Sequence, residues 1–88
     1  LSTLSIEYLE ESENIQLYPN PCGDKIILDV LKPIEGSSYA HIYDYEGRLL
    51  KSVLIFIGEN EINTQNLQKG LYIIKTDVSA THKRFIKR

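Results

Sequence analysis

The sequence predicts an all-β protein, an antiparallel sandwich of seven short strands. Two observations predict it. Along residues 15–88, turn signals recur about every 8–12 residues, and the runs between them alternate apolar and polar side chains. Six Tyr and two Phe with no Trp and no Met weight the composition towards strands, and no helical period of useful length follows residue 14.

Ile15-Gln16-Leu17-Tyr18 reads as the first strand. Pro19-Asn20-Pro21 ends it, because neither proline has an N–H for a ladder and Asn20 is pushed extended by the proline after it. A turn at Cys22-Gly23-Asp24 follows this stiff corner. Lys25 to Lys32 is the second strand, with Ile26, Leu28 and Val30 on one face, and Ile27, Asp29 and Leu31 on the other. Pro33-Ile34-Glu35-Gly36 turns the chain into a third strand, Ser38 to Tyr43.

Asp44-Tyr45-Glu46-Gly47 carries the Asp and Gly preferences of a type I turn, with Gly47 free to take the positive φ of a bulged hairpin loop. Arg48 to Ile57 is the return strand. Gly58-Glu59-Asn60 is expected to turn again, into a short fifth strand at Glu61–Asn63. In Leu67-Gln68-Lys69-Gly70-Leu71-Tyr72, Leu67 can plug the base of the sandwich and Gly70 permits a tight turn. The position of Tyr72 resembles a tyrosine corner, whose phenol hydrogen-bonds to backbone a few residues upstream. Leu71 to Asp77 and Thr81 to Lys87 complete the seven strands, with Phe85 or Ile86 inward.

The chain's 88 residues suffice for one domain, which buries roughly 60–65% of its unfolded surface. No apolar run approaches the ~20 residues that span a bilayer. Residues 1–14, with Glu7, Glu10, Glu11 and Glu13 and scattered Leu4, Ile6, Tyr8 and Leu9, fit either a short helix or a loose linker. A linker from an upstream cargo domain of the same chain is expected, with the folded domain at 15–88. The chain does not begin with Met and shows no signal peptide, so a piece of a longer protein is expected.

The net charge of −2 argues against nucleic acid as a partner. The head is acidic and the tail basic: residues 75–88 hold Lys75, Lys83, Arg84, Lys87 and Arg88 against Asp77 alone. This tail is either solvated surface or a docking element. Cys22, the single cysteine, reads as a small buried apolar residue rather than a reactive thiol.

Catalytic chemistry finds little support. His41 and His82 fall on different strands without partners at metal-ligand spacing. No nucleophile sits on a Gly-flanked elbow, no glycine cluster could cradle a phosphate, and no oxygen-rich run could hold calcium. No enzyme, cofactor or metal is expected. Tyr39, Tyr43 and Tyr45 form either an aromatic strip for a sugar or ordinary cross-strand packing.

Four motifs occur in order: Leu17-Tyr18-Pro19-Asn20-Pro21, Ile42-Tyr43-Asp44-Tyr45-Glu46-Gly47-Arg48, Leu67-Gln68-Lys69-Gly70-Leu71-Tyr72, and a basic tail. Together they resemble the C-terminal sorting domain of the type IX secretion system, type A. The resemblance covers residues 15–88 and falls on Pro19, Asn20, Pro21, Asp44, Gly47, Gly70, Tyr72, Lys83, Arg84, Lys87 and Arg88. It implies an Ig-like seven-stranded Greek-key sandwich that is a non-catalytic secretion signal of a larger exported protein in a Gram-negative bacterium. The implied partners are the type IX translocon, its outer-membrane shuttle barrel and a cell-surface sortase. The cargo would cross the periplasm and end at the cell surface or outside it, with cleavage in or just upstream of residues 1–14. The basic last strand could add to a sheet edge of the receptor or dock electrostatically. The alternative is an Ig-like carbohydrate-binding or adhesive module of a surface protein.

Overall fold

A computed structural model of the chain describes residues 14–78 and 82–88. Seven strands form: β1 (Ile15–Tyr18), β2 (Lys25–Val30), β3 (Ser38–Tyr43), β4 (Leu49–Ile55), β5 (Gly58–Asn63), β6 (Gly70–Thr76) and β7 (His82–Lys87). They make a three-stranded sheet in the order β1-β2-β5 and a four-stranded sheet in the order β4-β3-β6-β7, and every strand pairing is antiparallel. β1–β2, β3–β4 and β6–β7 are neighbours in sequence and space, whereas β2 pairs with β5 and β3 with β6 by crossing between sheets. This is the expected Ig-like sandwich. No helix forms among the described residues, so none there is long and apolar enough to cross a membrane.

The alternating pattern decides which faces meet. Ile26, Leu28 and Val30 of β2 are buried, as are Ala40 and Ile42 of β3, Tyr72 and Ile74 of β6 and Phe85 of β7. Each large aliphatic side chain so buried contributes roughly 1.5–3 kcal/mol. The Tyr72 and Phe85 rings stack with centroids 5.5 Å apart. Phe85, not Ile86, is the inward residue of β7. Leu67 packs half-buried against the core, and the free thiol Cys22 lies fully inside it.

Several boundaries differ from the sequence expectation. β2 stops at Val30, two residues short of Lys32. The strand expected over Arg48–Ile57 is Leu49–Ile55, and the turn expected at Gly58-Glu59-Asn60 is the first half of β5, where these residues pair with Val30, Asp29 and Leu28. The physical reason is Asn60. Its side-chain oxygen accepts the Phe56 N–H at 2.8 Å, and its amide donates to the carbonyls of Phe56, Gly58 and Leu28 at 2.8–3.1 Å. One side chain thus closes the turn at Phe56-Ile57, upstream of where Gly and Asn suggested it. Gly58, with φ 94°, takes the turn's left-handed position. The expected linker (residues 1–14) and Thr81, the expected start of the last strand, lie outside the described residues apart from Asn14.

The registers define two ends. Ile15, Val30 and Gly58 align at one, and Ser38 and Ile55 reach the same end through the short β4–β5 connection. The upstream chain attaches there, where the Leu31 N–H donates to the Asn14 carbonyl at 2.9 Å. Tyr18, Lys25, Asn63, Tyr43, Gly70 and Lys87 lie at the opposite end.

Candidate functional site at the motif-bearing end

The Tyr-Pro-Asn-Pro corner and the last strand meet. Asn20 Nδ2 donates to the Arg84 carbonyl at 3.2 Å, and the Ile86 N–H donates to Asn20 Oδ1 at 2.9 Å. One step on, the Cys22 N–H donates to the Ile86 carbonyl at 2.8 Å and the Arg88 N–H to the Cys22 carbonyl at 2.9 Å, a short parallel bridge. Pro19 and Pro21 flank this Asn20 latch, each after a cis peptide bond. The outer edge of β7 is therefore occupied from the Arg84 carbonyl to the Arg88 N–H. Addition of a receptor strand along that stretch, one of the two modes expected for the tail, is blocked. β7 offers a partner its side chains.

The other two motifs meet as well. At Asp44–Gly47 the Gly47 N–H donates to the Asp44 carbonyl at 3.0 Å, closing the expected turn, and Gly47 has φ 89°. Asp44 Oδ1 accepts the N–H groups of Glu46 and Arg48 at 2.9 Å, and Oδ2 accepts Arg48 Nε at 2.7 Å. The Arg48 N–H foremost, with its guanidinium and the Glu46 N–H, holds the Asp44 carboxyl below its usual range against the opposing effect of burial. Beside this turn a shallow groove is shared with Gln68, Lys69, Gly70 and Tyr72. The Tyr72 hydroxyl donates to the Gln68 carbonyl at 2.6 Å, which is the tyrosine corner, and Gly70 opens β6.

The four bases of the tail divide. Lys87 is buried, and its Nζ donates to the Gly23 carbonyl at 2.8 Å with Asp24 at 3.8 Å. Arg84 and Arg88 are exposed and Lys83 is half-buried, and none of the three forms an ion pair among the described residues. Thr64 was not anticipated. Its hydroxyl donates to the same Gly23 carbonyl at 2.6 Å, and its N–H to the Asp24 carbonyl at 2.8 Å. Nothing in sequence marks a contact spanning 41 residues.

The three tyrosines of the expected strip have different surroundings. Tyr39 stacks on His41 at 6.4 Å, Tyr43 lies beneath Lys75 Nζ at 5.4 Å from its centroid, and Tyr45 is an exposed turn residue. Among the described residues no group of three or more His, Cys, Asp or Glu could hold a metal ion.

All four motifs therefore gather at the end of the sandwich opposite the chain's attachment. A family model described as "Secretion system C-terminal sorting domain" matches residues 16–88. The chain belongs to this family. As a type IX sorting domain it is a secretion signal, and the protein that carries it is exported across the outer membrane. Among solved structures, the sorting domain matches one from a study of PorZ, a bacterial surface component of the type IX secretion system of Porphyromonas gingivalis. The TM-score is 0.67 with 24% identity over 90% of this chain, and the match spans 12% of that chain. At this identity the likeness shows the fold. No curated protein matches the sorting domain.

Proposed function

We propose that the motif-bearing end is the face read by the type IX translocon and its shuttle barrel, with Arg84 and Arg88 making the electrostatic contacts. The supporting observation is the separation of the two ends. The upstream chain attaches beside Leu31, while the Tyr-Pro-Asn-Pro latch, the Asp44 turn, the tyrosine corner and the end of β7 gather at the other pole. A cargo hung on one end leaves the other free to dock. In this reading the domain is non-catalytic, its cargo lies upstream, and Pro19, Asn20, Pro21, Asp44, Gly47, Gly70 and Tyr72 shape the docking end. After passage through the periplasm, a cell-surface sortase cuts within or upstream of residues 1–14 and attaches the cargo to the surface.

The test fuses residues 1–88 to a reporter carrying a conventional export signal, in a bacterium with a type IX system. Surface display of the reporter is expected, with periplasmic retention when Arg84→Glu and Arg88→Glu are combined. Both side chains are exposed, so this variant should retain its melting temperature within a few degrees, in line with surface changes of about 0.5 kcal/mol. Normal display of the folded variant would remove the arginines from the address. Deleting residues 83–88 is a poorer test, because it takes Phe85 and Lys87 out of the core.

A further inference from the structure

The two sheets leave strand edges at β1, β5, β4 and β7. Natural sheets blunt such edges with short strands, prolines, charges or a cover. β1 has four residues and runs into Pro19. β5 carries the exposed acids Glu59 and Glu61, and β7 has the Asn20 latch. β4 has no such device at its edge among the described residues, where it pairs with β3 alone. Its one charged residue, Lys51, pairs with the buried Ile42 and so lies on the inner face, where Nζ donates to the Asn63 carbonyl at 3.0 Å.

Hydrogen-bond directions show which groups this edge presents. Tyr39 directs both of its backbone groups away from β4: its carbonyl accepts the Asp77 N–H at 3.1 Å, and its N–H donates to Asp77 Oδ2 at 3.1 Å. Directions alternate along an antiparallel strand, so Ser38, Ala40 and Ile42 bond to β4 through Ile55, Val53 and Lys51. Ser52 and Leu54, which lie between, therefore turn their N–H and C=O groups to the open side. The regular edge stops at Leu50, where the β3–β4 register shifts.

The residues along the edge indicate what fits it. An antiparallel strand of the same sequence, laid along β4 with Ser52 opposite Ser52, sets Leu50 opposite Leu54 and Lys51 opposite Val53. Apolar meets apolar and no like charges are opposed, and the arrangement is the same from either side, as a two-fold contact requires. Leu50 and Leu54 are 44% and 43% exposed, and Leu54 pairs with Tyr39, whose ring is exposed. The Ser52 hydroxyl is held by His41 Nδ1 at 2.8 Å, so it lies towards β3 and leaves the Ser52 backbone clear.

We infer that β4 pairs with β4 of a second copy of this chain, antiparallel about Ser52, and joins the two four-stranded sheets into one. Ser52 exchanges N–H···O=C bonds with Ser52 of the second copy, and Leu54 with its Leu50. The ladder is short, so the contact belongs to the weak, transient class. β7 lies at the far edge of the same sheet, so Arg84 and Arg88 stay free, and the inference is independent of how the motif-bearing end is read.

The test follows the mass of the 88-residue chain by sedimentation from about 10 µM to about 1 mM, a range that spans weak affinities. The mass is expected to rise from 10.1 kDa towards double that value. Hydrogen exchange at the Ser52 and Leu54 amides is expected to slow severalfold at the upper concentration, while Val53, already bonded to β3, stays unchanged. Leu54→Lys places a charge in the contact, and Ser52→Pro removes an N–H that β3 does not use; each is expected to hold the mass at 10.1 kDa throughout. Leu54 is exposed, so Leu54→Lys should keep its melting temperature within a few degrees, and it carries the test should the proline disturb the fold. A wild-type mass of 10.1 kDa at every concentration would overturn the inference. So would association that persists in folded Leu54→Lys, or that leaves exchange at Ser52 and Leu54 unchanged, since another surface would then be responsible.

Discussion

Two tyrosines do different work through their hydroxyls. Tyr18 donates to the Glu59 carboxylate at 2.9 Å, with Asp29 at 3.4 Å. Ionising it would place a third negative charge among two, and its pKa is pushed up to about 12, chiefly by the Glu59 hydrogen bond. The folded state thus holds this proton more tightly than the unfolded chain, whose value is 10.0. Below pH 10 both states are protonated and the contribution to stability is complete; it is lost as pH rises through 12. In an ultraviolet titration, Tyr18 should ionise near 12, and Glu59→Gln should bring it back towards 10 and flatten the fall in stability over that window. Tyr72 acts locally. Tyr72→Phe removes only its bond to Gln68, at about 1 kcal/mol, and should lower the melting temperature by ~4–8 °C. The difference also explains what could be read from sequence. The partner of Tyr72 is four residues upstream, so spacing revealed it, whereas the partners of Tyr18 are 11 and 41 residues away.

Among the elements, strand identity was legible because period-two alternation is local, and β1 and β3 fall on their expected residues. The Asp44–Gly47 hairpin was legible for the same reason, since turn chemistry sits within four residues. Boundaries set by a distant side chain were not, and Asn60 looked like part of a turn although it closes the turn before it. The same limit hid the latch. Asn20 and Pro19-Pro21 could be seen as a stiff corner, but not as the cover of a strand edge 64 residues on. An uncovered edge exposes unpaired N–H and C=O groups to other chains, and the latch protects part of β7 from that. Asn20→Ala should cost about 1–2 kcal/mol and speed hydrogen exchange at the Ile86 amide by on the order of tenfold. Asn20→Asp keeps an acceptor for that amide but has no donor for the Arg84 carbonyl, so a smaller loss is expected. Equal exchange at Ile86 in wild type and Asn20→Ala would show that the edge is held without the latch.

For the molecule as a whole, the basic tail seen in sequence is two populations with different tasks. Lys87 belongs to the core: its ammonium binds the Gly23 carbonyl, and with Thr64 it ties the Cys22–Asp24 turn to the end of β7. Arg84 and Arg88 face solvent. Lys87→Ala strips a buried aliphatic stem and a charge-assisted hydrogen bond, and is expected to cost about 1–3 kcal/mol, read as a lower urea midpoint with unchanged slope. Arg84→Ala and Arg88→Ala should each stay within about 0.5 kcal/mol. The ordering matters for any export experiment. A cell that fails to display the Lys87 variant is reporting a weakened fold, whereas one that fails to display a stable Arg84 variant is reporting a lost contact. If Lys87→Ala left the midpoint unchanged, the Gly23 tie would contribute nothing net, and Lys87 would rejoin Arg84 and Arg88 as a residue whose effect on export can be read directly.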